Sequence, residues 1–215
     1  MITKVYGVPA SPFVRKVTMA LDFYGVEFEC LADVSPVNKT PEFQSISPLG
    51  KIPAIKDDLV SLADSSAICQ YLDKRYAQQQ SLYPTDPVQF AKALWFEEYA
   101  DTKLLEVCGK NLFFEKVIKP KVFNQPTDDS VVNENLEVAM PAVLQYLNNH
   151  SPIEGFLCGE WSIADIAIGS QFLNARYAGF HVNEQLYPAF SAYLTRVLST
   201  DGFMHAEQSD HVFFS

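Results

Sequence analysis

The sequence predicts an α/β domain followed by an all-α helical-bundle domain. Three observations carry this. Residues 1–80 alternate short β-branched runs with helical ones, and beyond Pro87 the strand period disappears. The acidic excess changes at the same place. Residues 1–80 hold 8 basic and 9 acidic side chains, whereas residues 81–215 hold 8 and 17. Between them "SLYPTDP", residues 81–87, has the composition of a linker.

The elements follow in order. "ITKVYG" reads as a strand. Residues 12–24 place Phe13, Val14, Val17, Ala20, Leu21 and Tyr24 at helical three-and-four spacing, and Gly25 stops the helix. "VEFECLA" is a second strand. After a polar stretch with three prolines, "IPAIK" and "LVSLA" form a hairpin across Asp57-Asp58. "DSSAICQYLDKRY" is helical. The order is β-α-β, a loop, then β-β-α.

In the second part, residues 88–119 give one long helical pattern or two in succession. "SVVNENLEVAMPAVLQYLNNH" sets Leu136, Met140, Val143, Leu144 and Leu147 on one side, and Pro141 is expected to kink it. "SIADIAIGSQFLNARY" is apolar nearly all round, the mark of a central bundle helix. "YPAFSAYLTRVL" adds another helix. His205 and His211 fall in an expected loose tail, as solvent-exposed side chains.

Composition narrows the function classes. With 48% hydrophobic and 20% charged residues, the chain is an ordinary globular one. No apolar run reaches the roughly 18 residues that span a bilayer. "MITKVYGVPAS" lacks the pattern of a secretory signal, so a cytoplasmic location is expected. The net charge of −10 disfavours a nucleic-acid partner. Cys30, Cys69, Cys108 and Cys158 form no CxxC pair and read as reduced buried thiols, so no metal site is expected. The phosphate-loop, dinucleotide, zinc-protease and hydrolase-elbow motifs do not occur.

Three stretches of the first domain bear on chemistry. Ser11-Pro12 suits an N-cap followed by the first helical residue. It equally places a hydroxyl at a helix N-terminus, where the dipole and free N–H groups stabilise an anion such as a thiolate. In "SPLGKIPAI", Pro53 belongs at an edge or turn. A trans proline starting an edge strand satisfies that. So does a cis Ile52-Pro53 bond, which would turn the chain and offer the Ile52 backbone to an extended ligand. In "LADSSAI", Asp64 caps a helix. Alternatively, Ser65 and the first amides hold a carboxylate while Asp64 takes an ammonium, a pair suited to the α-amino-acid end of a ligand.

In this order, and followed by a helical domain, the stretches resemble the cytosolic glutathione transferase family over the whole chain, as a serine-type, bacterial-like member. Ser11-Pro12-Phe13-Val14-Arg15-Lys16 resembles the start of the first helix, Gly50-Lys51-Ile52-Pro53 the cis-proline segment, and Asp64-Ser65 the acidic-serine pair. Gly159-Glu160-Trp161-Ser162-Ile163-Ala164-Asp165 resembles a helix-opening segment of the second domain, where Ser162 and Asp165 form a capping box.

The resemblance implies a thioredoxin-like, glutathione-binding domain over residues 1–80, a linker over 81–87, and a helical domain over 88–215 that holds the electrophile. It implies glutathione as co-substrate, a small-molecule electrophile and a homodimer. Asp64 and Ser65 would hold the γ-glutamyl end and the Ile52 backbone, before Pro53, the cysteinyl unit. Lys51 and Lys39 would meet the glycyl carboxylate. Ser11 would donate its hydroxyl proton to the sulfur, with Tyr6 as rival activator, and Val8, Pro9, Phe113 and Phe114 are candidate pocket walls. The lack of cysteine at positions 10 and 11 argues against members that form mixed disulfides. Two rival functions share the fold. One is a non-catalytic interaction protein, similar to the stringent starvation protein that binds RNA polymerase. The other is a glutathione-dependent isomerase or dehalogenase.

Overall fold

The opening βαβ unit forms from β1 (Thr3–Tyr6), α1 (Pro12–Phe23) and β2 (Phe28–Leu31), with β1 and β2 parallel. The computed structural model describes residues 2–34 and 40–214. After β2 comes α2 (Pro41–Ile46), a short helix with no sequence-level expectation, then β3 (Ala54–Lys56), β4 (Ser61–Ala63) and α3 (Ser65–Tyr76). The sheet order is β2-β1-β3-β4, with β3 antiparallel to both neighbours. The β3–β4 turn is closed by Asp57, whose N–H donates to the Val60 carbonyl and whose Oδ1 accepts from the Leu59 and Val60 amides at 2.8 Å.

Strand residues alternate between faces. Tyr6 and Ala54, paired across β1 and β3, join Val34 and Phe43 in one apolar cluster that α2 covers. Val5 and Ile55, the adjacent pair, are fully buried towards the opposite face, where α1 and α3 pack together.

The second half is helical: α4 (Pro87–Tyr99), a π-helical segment Ala100–Ile118, α5 (Lys119–Phe123), α6 (Asp129–Glu134), a second π-helical segment Asn135–Ala139, α7 (Met140–His150), α8 (Ile163–Tyr177), α9 (Pro188–Leu198) and α10 (Asp201–Phe214). Pro120 and Pro141 each sit at the start of the α-helix that follows a π-helical segment. A proline supplies no N–H and crowds the carbonyl four residues back; a wider turn just before it relieves that crowding. At Pro141, where a kink is expected, the structure has such a wider segment, Asn135–Ala139, immediately before α7. The long pattern from residue 88 runs from α4 to α5 as one continuous helical stretch.

α8 is buried from Ile163 to Ala175, as its apolar circumference predicts. The Ser162–Asp165 capping box forms, and Asp165 also accepts from Tyr193 Oη at 2.7 Å. The four cysteines are free; Cys69, Cys108 and Cys158 are buried and Cys30 is half-buried. Among the described residues, no helix is long and apolar enough to cross a membrane.

Two compact units divide the chain, Asp86–Thr200 forming one and the residues to Thr85 together with those from Asp201 forming the other. The expected loose tail is thus α10, a 14-residue helix grouped with the first unit and not with residues 88–200. Phe203 and Asp210, one on each of its first and third turns, are 1% exposed, while His205 is exposed as expected. Gly202 lets α10 come close to Met19 of α1: a Cβ there would lie 3.0 Å from Met19 Cε. Leu82 and Tyr83 of the expected linker are buried, and the Leu82 amide is held by Tyr24 Oη at 3.0 Å.

Candidate active site

Ser11 precedes the first residue of α1, with extended φ −72° and ψ 127°. Its carbonyl accepts the Arg15 N–H at 2.9 Å, so the backbone begins the helix there. Its hydroxyl, however, makes no capping hydrogen bond. Pro12 at the first helical position carries no N–H to be satisfied. The side chain is half-buried and free to act on something other than the helix.

Tyr6 is 1% exposed, and its hydroxyl donates to Glu42 Oε1 at 3.0 Å. Burial, the bond to Glu42 and that carboxylate's charge push the phenol up to about 12. Lys56, followed by Tyr6, holds the Glu42 carboxyl below its ordinary value through hydrogen bonds to the same oxygen. The Tyr6 proton is committed to a carboxylate, so this phenol is poorly placed to activate a thiol.

The Ile52–Pro53 peptide is cis, which decides between the two conformations open to that step. The loop before it is tied by Ser47, whose Oγ donates to the Lys51 carbonyl at 2.7 Å and accepts the Lys51 N–H at 3.2 Å. Gly7, at φ +144°, meets this segment without a side chain. The Lys51 side chain is exposed, and Lys39 lies outside the described residues.

Asp64 has φ +79° and caps α3, its Oδ1 accepting from the Ser66 and Ala67 amides at 3.1 and 3.0 Å. The capping and ligand readings are compatible, since a carboxylate has a second oxygen for an ammonium. Ser65, the first residue of α3, is 5% exposed.

Two contributors were not visible locally. Lys16 is 1% exposed and donates from Nζ to Ser66 Oγ at 3.0 Å, joining the Ser11 helix to the Asp64-Ser65 turn. A lysine set three residues after Phe13 and four before Ala20, within the apolar stripe, was its only signal. Glu42 belongs to α2, too short to show a period.

Val8 and Pro9 are half-buried in the first unit. In the second unit Phe113 is 7% exposed and packs as core, while Phe114 is 40% exposed and lies 6.0 Å from the Phe123 ring. Among the described residues, no cluster of His, Cys, Asp and Glu suits a metal ion.

Residues 5–80 match the family model of the glutathione S-transferase N-terminal domain. The chain is 30% identical over 166 residues to glutathione S-transferase 3 of Zea mays, covering 75% of this chain and 73% of that one. It is 31% identical over 172 residues to a glutathione S-transferase of Hyoscyamus muticus, covering 76% and 77%. Among solved structures, glutathione transferase F2 of Populus trichocarpa superposes with a TM-score of 0.77 at 26% identity, covering 98% of this chain and 99% of that one. A glutathione S-transferase-I bound with lactoylglutathione gives a TM-score of 0.82 at 23% identity, over 97% and 100%.

Proposed function

The chain belongs to the glutathione S-transferase family, and on that premise we propose that it transfers glutathione to small hydrophobic electrophiles with Ser11 as the thiol-activating residue. One observation supports Ser11 above all: it stands at the cap position of α1 while its hydroxyl caps nothing. A glutathione sulfur beside it would receive the hydroxyl hydrogen bond and the field of the helix start.

The energies suffice. A free thiol has a pKa near ~8.5, and lowering it by about two units takes roughly 2.7 kcal/mol. A hydrogen bond to a charged group supplies roughly 1.5–3 kcal/mol, and a helix N-terminus about 0.3–1 kcal/mol more. The thiolate then attacks the electrophilic carbon. With an aryl halide, the new C–S bond replaces the carbon–halogen bond, halide leaves, and the thiol proton has already passed to solvent.

The remaining assignments belong to the same reading. Asp64, through the oxygen not used in capping, and Ser65 receive the γ-glutamyl end. The Ile52 backbone before cis-Pro53 receives the cysteinyl unit, and Lys51 the glycyl carboxylate, with Lys39 as a second candidate. The reading includes a homodimer and a cytoplasmic location. The net charge of −10 supports a small-molecule substrate over a nucleic acid.

The test is retention on immobilised glutathione, followed by turnover of an activated aryl halide by wild type and Ser11→Ala. Loss of the hydroxyl should lower kcat about 10- to 100-fold and move the pH profile of kcat/KM up towards ~8.5. Unchanged turnover and an unchanged profile would remove Ser11 from its role. A folded protein that passes through the column would favour the interaction-protein reading.

A further inference from the structure

One carboxylate oxygen fastens α2 to the sheet at two points. Glu42 Oε1 accepts from Tyr6 Oη of β1 and from Lys56 Nζ of β3, each at 3.0 Å. Lys4 pairs with Lys56 and Tyr6 with Ala54, so both donors rise from the sheet face that α2 covers. α2 has six residues, too few to persist as an isolated helix. It is held by the Thr40 cap, by Phe43 and Ile46 in the apolar cluster, and by this carboxylate.

α2 runs directly into the segment that contains Lys51 and Ile52. The Ser47 N–H donates to the Phe43 carbonyl at 2.8 Å, and the Ser47 hydroxyl bonds both backbone groups of Lys51. Ile52 packs in the same cluster as Tyr6, Phe43 and Ile46. Physical contacts therefore connect Glu42 to the Lys51–Ile52 backbone without a break.

We propose that Tyr6, Glu42 and Lys56 form a latch whose closure docks α2 and thereby sets the affinity of the Lys51–Ile52 segment for glutathione. Tyr6 and Glu42 are then positioning residues, acting on binding and not on the thiol. This rests on the reading of that segment as glutathione-binding.

The test compares Tyr6→Phe, Glu42→Leu and Glu42→Gln in the full chain. Calorimetric titration uses S-methylglutathione, which has no thiol to ionise, beside steady-state kinetics with glutathione. Tyr6→Phe and Glu42→Leu should each weaken S-methylglutathione binding and raise KM for glutathione about five- to ten-fold, with kcat within about two-fold of wild type. Glu42→Gln, whose amide oxygen still accepts from Tyr6, should lose less. The double variant Tyr6→Phe/Glu42→Leu should lose no more than Glu42→Leu alone, because that substitution already removes the contact that Tyr6→Phe breaks. Amide exchange across Phe43–Ile46 should quicken while α3 is unchanged.

Unaltered S-methylglutathione affinity in both single variants overturns the latch and leaves Ser11 untouched. A Tyr6→Phe protein that binds S-methylglutathione normally but carries a bound glutathione thiol of raised pKa makes Tyr6 the activator, against both readings. A native protein that binds neither compound overturns the glutathione reading and the latch with it.

Discussion

Gly7 and Ile52 meet so closely that a methyl group on Gly7 would lie 3.0 Å from Ile52 Cβ, and 2.6 Å from Val14 Cγ2. With φ at +144°, Gly7 also holds a conformation that other residues resist. Gly7→Ala should destabilise the protein by about 2 kcal/mol or more in urea titration. Ile52 must give way to the new methyl, so glutathione affinity should fall as well. A variant of wild-type stability and affinity would show that the contact is slack.

Asp57 should make the fold acid-sensitive. Burial raises its carboxyl, but hydrogen bonds from Tyr71 and the Val60 and Leu59 amides, with the charge of Arg75, outweigh burial and leave it below 3.8. A depressed folded pKa contributes stability above the unfolded value and loses it as pH falls through the folded one. The stability advantage of wild type over Asp57→Asn should thus be constant above pH 5 or so and shrink below about 4. Denaturant titrations across that range decide it, and a gap that widens in acid contradicts the assignment.

Tyr6 supplies the opposite sign. Its folded phenol titrates at about 12 against 10.0 for the unfolded chain. The folded state holds this proton more tightly, so the contribution is full below pH 10 and disappears as pH rises through the folded value. Wild type and Tyr6→Phe should converge in stability in that alkaline window.

Arg15 Nη2 donates to Asp210 Oδ2 at 2.6 Å, with both side chains 1% exposed. Removing one member of a buried ion pair costs about 3–5 kcal/mol, because the other charge stays in a low-dielectric setting. Asp210→Ala should therefore unfold at far lower denaturant concentration, whereas Arg15→Met/Asp210→Leu should recover much of the loss. Added salt should change the wild-type contribution little, since burial shields the pair from screening.

Periodicity made most of the fold legible in the sequence. The strand and helix order of the first unit, the central helix α8 and its capping box all follow from local pattern and cap chemistry. α2 escaped because six residues span fewer than two turns. α10 escaped because its buried side chains are sparse and one of them is an aspartate. Nor could the partners of two α1 cations be read locally: Arg15 and Lys16 are buried against side chains about 195 and 50 positions away. In the candidate site, the helix start at Ser11, the turn at Ile52-Pro53 and the helix cap at Asp64 were readable because each has a distinctive local chemistry. The hydrogen bond that engages the Tyr6 hydroxyl was not, because its acceptor, Glu42, lies on the unforeseen helix.

The return of α10 to the first unit has a consequence for biosynthesis. A nascent chain that has reached Thr200 already holds all of the second unit, while the first still lacks Phe203 and the carboxylate that Arg15 will bind. Units fold as their parts emerge from the ribosome, and contacts of long sequence separation close late. The unit translated first is the last to be completed.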